Sequence, residues 1–129
     1  MSSTALNAAI DSRALAGAPY NPWLQCEGRP VWYAIEGHDG EGVLERRQGA
    51  RSAHLARLEA LRDAGRLMLA GPCPAIDALD PGPAGYSGSI VIAEFESLQA
   101  ARDWAQADPY VEAGVYARVD VRPFRPVLP

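Results

Sequence analysis

Residues 51–72 read RSAHLARLEALRDAGRLMLAGP, and this stretch decides the fold. Leu55, Leu58 and Leu61 recur at three-residue steps, which lays an apolar stripe along one face of a helix. Gly65 follows the last periodic residue, where helices commonly stop. RLMLAG is then short and mostly apolar and reads as a strand. Upstream, VWYAIEG from Val31 is rich in β-branched and aromatic residues and reads as the strand before the helix. DGEG breaks it. Helical spacing runs through VLERRQGARSAHLARLEALRDAG, with Gly49 expected to divide a short first helix from a longer second one and Ser52 as N-cap.

Downstream, PCPAIDALDPGPAGYSG is crowded with proline and glycine and reads as a long loop. SIVIAEF from Ser89 is the third strand. ESLQAARDWAQAD is a second helix, with Ser97 as N-cap and Leu98, Ala101, Trp104 and Ala105 on its inner face; Pro109 ends it. VYARVDVRPF alternates, placing Val115, Ala117, Val119 and Val121 on one face and Tyr116, Arg118, Asp120 and Arg122 on the other. The order β-α-β-β-α-β is the α+β, ferredoxin-like arrangement: a four-stranded antiparallel sheet with two helices on one face. Strands one and three carry apolar side chains on both faces. A second subunit is therefore expected over the uncovered face, giving a homodimer of the dimeric α+β barrel type.

The length of 129 residues suits one domain. Residues 1–30, rich in small residues and interrupted by Pro22 and Pro30, read as an N-terminal extension with Trp23 and Leu24 as possible anchors; residues 31–129 form the domain. No part of the strand and helix pattern falls in the extension, so it is expected to be dispensable for the core fold.

The formal net charge is −4, and no basic stripe suggests nucleic acid as a partner. Arg46, Arg47, Arg51, Arg57, Arg62 and Arg66 are interleaved with Glu45, Glu59 and Asp63, which reads as a solvated helix face. The chain has no lysine, which excludes Schiff-base chemistry on its own side chains. Cys26 and Cys73 are too few and too far apart for a metal-ligand pattern. No apolar run approaches the ~18 residues of a membrane span, and no secretory signal is evident, so a cytoplasmic protein is expected.

Topology suggests where chemistry lies. If the first strand runs upward, the first helix starts at the top, the second strand ends there at Ala70-Gly71-Pro72, and the second helix ends there at Asp108-Pro109-Tyr110. His54 and Asp108, 54 residues apart in sequence, should therefore converge. A carboxylate fixes a histidine's tautomer and stabilises its imidazolium. A place in the first helical turn acts in the opposite sense. The pair suits general acid–base work. Arg51, one turn before His54, either binds an anionic group of a substrate or pairs with a carboxylate. Ser89 offers a hydroxyl, Gly71 a close backbone approach, and Tyr110 a wall or a donor. His38 and Asp39, read as loop residues, lack a third metal ligand. No metal or organic cofactor is expected.

These residues also carry a resemblance. Arg-x-x-His-Leu at 51–55, AGP at 70–72, GSIVIAEFES at 88–97 and ADPYVEAGVY at 107–116 resemble the YCII-related (YciI-like) family of small bacterial proteins, nearly without gaps from Val31 to about Val127. The resemblance implies a dimeric ferredoxin-like fold with a His/Asp-centred site, the family's histidine falling on His54 and its aspartate on Asp108. Some relatives are similar to enzymes that eliminate chloride from chlorinated hydroxyhydroquinones or isomerise small lactones. The expected function is acid–base chemistry, an elimination or isomerisation, on a small cyclic or aromatic metabolite. The alternative is a non-catalytic dimeric module that binds a small metabolite.

Overall fold

The structure, a computed structural model, describes residues 31–129. The extension assigned to residues 1–30, with Trp23 and Leu24, lies outside the described residues. Four strands and two main helices follow one another: β1 (Val31–Asp39), α1 (Leu44–Asp63), β2 (Leu67–Pro74), β3 (Tyr86–Phe95), α2 (Leu98–Gln106), a one-turn helix α3 (Pro109–Glu112) and β4 (Tyr116–Phe124). The sheet order is β2-β3-β1-β4, and every neighbouring pair is antiparallel. This is the ferredoxin-like α+β fold.

The core lies between the sheet and the helices. Tyr33 and Ile35 of β1 and Val91, Ala93 and Phe95 of β3 meet Leu58 and Leu61 of α1 and Ala101 and Ala105 of α2. Ser97 caps α2 by accepting a hydrogen bond from the Ala100 N–H at 3.0 Å. Gly65 takes φ +73° directly after α1, a conformation that carries no Cβ penalty in glycine.

Three local expectations are corrected. First, α1 is one continuous helix that passes through Gly49 and Ser52; its N-cap residue is Val43, with no side-chain capping bond. An exposed glycine costs a helix interior only about 1 kcal/mol, which packing on both sides outweighs. Second, both ends of the proline-rich stretch after Ala70 are strand: Pro72 pairs with Ser89, Cys73 with Gly88 and Pro74 with Tyr86. β2 is an edge strand, where a missing N–H can face away from the ladder. The connection shrinks to residues 75–85, including a 3-10 turn at Gly82–Ala84. Third, the alternation of β4 fails at its start. The β1–β4 register shifts between His38 and Asp39, so that Asp39 pairs with Tyr116 and His38 with Arg118. The bulge turns Tyr116 inward, the re-aiming that bulges commonly perform.

The inward Tyr116 ring lies where a Cβ on Gly37 would be, and a Cβ on Gly88 would overlap the Gly37 carbonyl oxygen. That carbonyl belongs to the central strand and cannot move aside. Gly88→Ala is therefore expected to cost at least the ~1–3 kcal/mol typical of overpacking. Urea unfolding checks this, and an unchanged midpoint would contradict it.

Candidate active site

α1 brings Arg47, Arg51, His54 and Leu58 to one face, at the spacing i, i+4, i+7, i+11 that a 3.6-residue period stacks in line. Together with Leu55 they form one wall of a cavity of about 230 Å³. Ala70, Gly71 and Pro72 of β2, Ser89 and Val91 of β3, and Tyr110 complete it. His54, Arg51, Gly71, Ser89 and Tyr110 thus share one cavity. Asp108 stands directly behind His54.

His54 Nδ1 lies 2.9 Å from both Asp108 carboxylate oxygens, and both side chains are buried. Asp108 is itself held. It is the N-cap of α3, accepting from the Tyr110 N–H at 2.8 Å. This revises its expected place at the end of the second helix: the chain turns after α2, and Asp108 opens the next helix. The setting of His54 is revised as well. It lies ten residues into α1, about 15 Å from the helix start, beyond the reach of the terminal dipole. The Tyr110 ring stacks on the imidazole at 4.0 Å and 11° and fixes its plane. With Nδ1 occupied, Nε2 is the ring nitrogen left to the cavity, and it enters no hydrogen bond among the described residues. In the neutral ring a proton on Nδ1, donated to the carboxylate, leaves Nε2 with its lone pair.

Arg47 is the largest departure from the sequence reading. It is only 6% exposed, not solvated. Its Nε donates to Asp39 Oδ2 at 2.8 Å, and its Nη2 donates to Asp39 Oδ1, the Gly88 carbonyl and Ser89 Oγ at 3.3, 3.0 and 2.6 Å. The guanidinium packs against the rings of Tyr86 and Tyr110, 5.0 and 4.8 Å from their centroids. Burial disfavours its charge, but the hydrogen bond and the charge of Asp39 outweigh this and raise its pKa. Asp39 ends β1 and faces inward, contrary to its reading as a polar loop residue. Tyr116 packs edge-on against Tyr110 at 5.4 Å. Sequence reasoning missed Arg47, Asp39 and Tyr116. The spacing of Arg47, seven residues before His54, was the available signal for the first.

Burial pushes the phenols of Tyr110 and Tyr116 upward, against opposing contributions from Arg47 to both and from the Ser89 hydrogen bond to Tyr116. Both should stay neutral in the folded protein past pH ~10, where an exposed tyrosine ionises. Their raised values stabilise the fold below that pH, and the contribution is lost as pH rises through the folded values. Alkaline difference spectroscopy should therefore show Tyr110→Phe and Tyr116→Phe removing only late-ionising phenols. Loss of an early-ionising one would contradict this.

On the opposite face of the sheet, Glu36, His38 and Asp120 bring ligand atoms within 4.8 Å of one another. His38 Nε2 is 3.0 Å from Asp120 and 3.2 Å from Arg118, whose Nε also lies 3.3 Å from Asp120. A guanidinium already supplies the positive charge in that cluster. Among the described residues, no helix is long and apolar enough to cross a membrane.

The YCII-related domain profile matches residues 31–125, the whole of the sheet and its helices. The chain belongs to the YCII-related family. It is 60% identical over 96 residues to protein YciI of Escherichia coli, covering 74% of this chain and 98% of that one. It is 56% identical over 98 residues to an uncharacterized protein of Haemophilus influenzae, covering 76% of this chain and all of the relative. Among solved structures, this YCII-related domain is similar to 5-chloro-2-hydroxyhydroquinone dehydrochlorinase from Burkholderia phenoliruptrix AC1100, solved with 2,5-dihydroxybenzoquinone. The two share 29% identity and a TM-score of 0.64 over 73% of this chain and 93% of the other.

Proposed function

We propose that His54 and Asp108 act as an acid–base pair on a small cyclic or aromatic metabolite, by elimination or isomerisation, with neither metal nor organic cofactor. The observation that carries this reading is the buried His54 Nδ1–Asp108 contact at 2.9 Å, which leaves Nε2 to the cavity. The cavity volume of about 230 Å³ supports a single substituted ring, since cavities of ~150 Å³ accept benzene. The dehydrochlorinase neighbour supports the same substrate class.

In this reading Nε2 takes the proton from a ring hydroxyl or from a carbon beside a carbonyl. Asp108 stabilises the imidazolium that forms. Arg51 at the rim and Arg47 within face the oxygen on which negative charge develops. Gly71 lets the ring approach the β2 backbone, while Ser89 and Tyr110 position it. Loss of HCl from a chlorinated hydroquinone needs one hydroxyl proton moved to the chlorine-bearing carbon and a second removed as chloride departs, which leaves a quinone and calls for no outside oxidant.

The protein is proposed to work in the cytoplasm as a homodimer joined through the helix-free face of the sheet. There Leu69 and Phe124 are 51% and 36% exposed. A screen of chlorinated hydroxyhydroquinones and small lactones, read by chloride release and by NMR, tests the function. Turnover supports it. Saturable binding of these rings without turnover would favour the non-catalytic binding module instead.

A further inference from the structure

A second cavity, of about 200 Å³, is lined by Arg57, Ala60 and Leu61 of α1, Arg66 and Trp104 of α2. It shares no lining residue with the His54 cavity. Its two arginines are arranged alike. The Arg57 guanidinium lies over the Trp104 ring at 4.4 Å, and that of Arg66 over the Phe95 ring at 5.1 Å. Trp104 and Phe95 pack against each other at 5.7 Å, so the two cations stand on one aromatic platform.

Neither arginine has a carboxylate within ion-pair distance among the described residues, whereas Arg47, Arg62, Arg118 and Arg122 each enter an ion pair. Arg66 Nε donates to the Glu94 carbonyl at 3.0 Å. Arg57 Nη1 is buried without an acceptor among the described residues. Buried donors are almost always satisfied, and guanidinium groups bind carboxylate and phosphate oxyanions through parallel hydrogen bonds. Burial lowers the pKa of Arg57, with the charge of Asp108 opposing, so a bound anion would relieve an unfavourable charge.

We infer that this pocket binds a small oxyanion, a carboxylate or phosphate carrying an apolar or aromatic group. The head group sits between Arg57 and Arg66, and the apolar group lies against Trp104, Ala60 and Leu61. The inference is independent of the chemistry at His54.

The test is NMR titration of the full-length chain, following the Trp104 indole resonance assigned through Trp104→Phe. Benzoate and phenyl phosphate are the probes, with benzyl alcohol and inorganic phosphate as controls. The expected result is a saturable shift with benzoate, phenyl phosphate or both, weaker binding of inorganic phosphate, and none of benzyl alcohol. The tighter probe identifies the head group. Arg57→Gln and Arg66→Gln should each weaken binding about tenfold, the loss of one charge-assisted hydrogen bond. Arg62→Gln, which removes an exposed charge from the same helix, and Arg51→Gln, in the other cavity, should leave it unchanged. Absence of saturation up to roughly 10 mM, an affinity weaker than any useful site, would overturn the proposal. So would undiminished binding in both Arg57→Gln and Arg66→Gln, or equal binding of benzyl alcohol.

Discussion

His54→Ala will slow turnover of any substrate the cavity accepts by roughly a hundred- to ten-thousand-fold, the range over which a positioned base contributes. Chloride release from 5-chloro-2-hydroxyhydroquinone is the first assay to try. The size of the effect follows from geometry: His54 is the imidazole among the side chains lining the cavity, the other nitrogen groups there being the guanidinium groups of Arg47 and Arg51. Asp108→Asn should come close to it with less disturbance of the fold. An asparagine Oδ1 still accepts from the Tyr110 N–H and still caps α3, since asparagine is as good an N-cap as aspartate. Its amide, however, donates toward Nδ1 and drives the imidazole proton to Nε2, the wrong nitrogen for a base facing the cavity. Folding and ring binding should survive while the rate falls. If Asp108→Asn turns over substrate at the wild-type rate, the carboxylate has no part in the chemistry.

The second large effect concerns stability. Arg47→Met should destabilise the fold by about 3–5 kcal/mol, the cost of leaving one partner of a buried ion pair alone. Asp39 would be the abandoned charge, its side chain only 2% exposed. The Gly88 carbonyl and Ser89 Oγ would lose a donor at the same time. Domains of this size are commonly stable by only ~5–15 kcal/mol, so the variant would be marginal. The double variant Arg47→Met, Asp39→Leu separates the causes. Replacing both partners by apolar groups is often near neutral, so it should recover much of the loss. Urea denaturation reads both variants. A cost below about 1 kcal/mol for Arg47→Met, the worth of an exposed pair, would show that Asp39 finds solvent or another donor.

Much of this arrangement was legible in the sequence because it rests on patterns that burial enforces. The leucines of α1, the Gly65 stop and the Ser97 cap lie where period and cap chemistry place them. The chain order brings the start of α1 and the end of α2 to one edge of the sheet, but the contact itself is made by a histidine ten residues into α1 and an aspartate that opens α3, details the chain order does not encode. What escaped depends on contacts that local pattern does not encode. Arg47 sits among other arginines and glutamates and resembles a solvated residue until Asp39, Gly88 and Ser89 surround it. The bulge opposite Asp39 breaks the alternation of β4, and with it the expected direction of Tyr116. Pro72 and Pro74 signal loop, yet an edge strand tolerates them.

Nitrogen NMR of the His54 ring tests the central claim most directly. In the neutral ring the Nδ1 resonance should be that of a protonated nitrogen and the Nε2 resonance that of a bare one. Addition of 2,5-dihydroxybenzoquinone, the ligand held by the dehydrochlorinase neighbour, should move Nε2 far more than Nδ1. A ring protonated on Nε2, or one whose Nε2 does not respond while the quinone binds, would contradict the assignment of His54 as the base of this cavity.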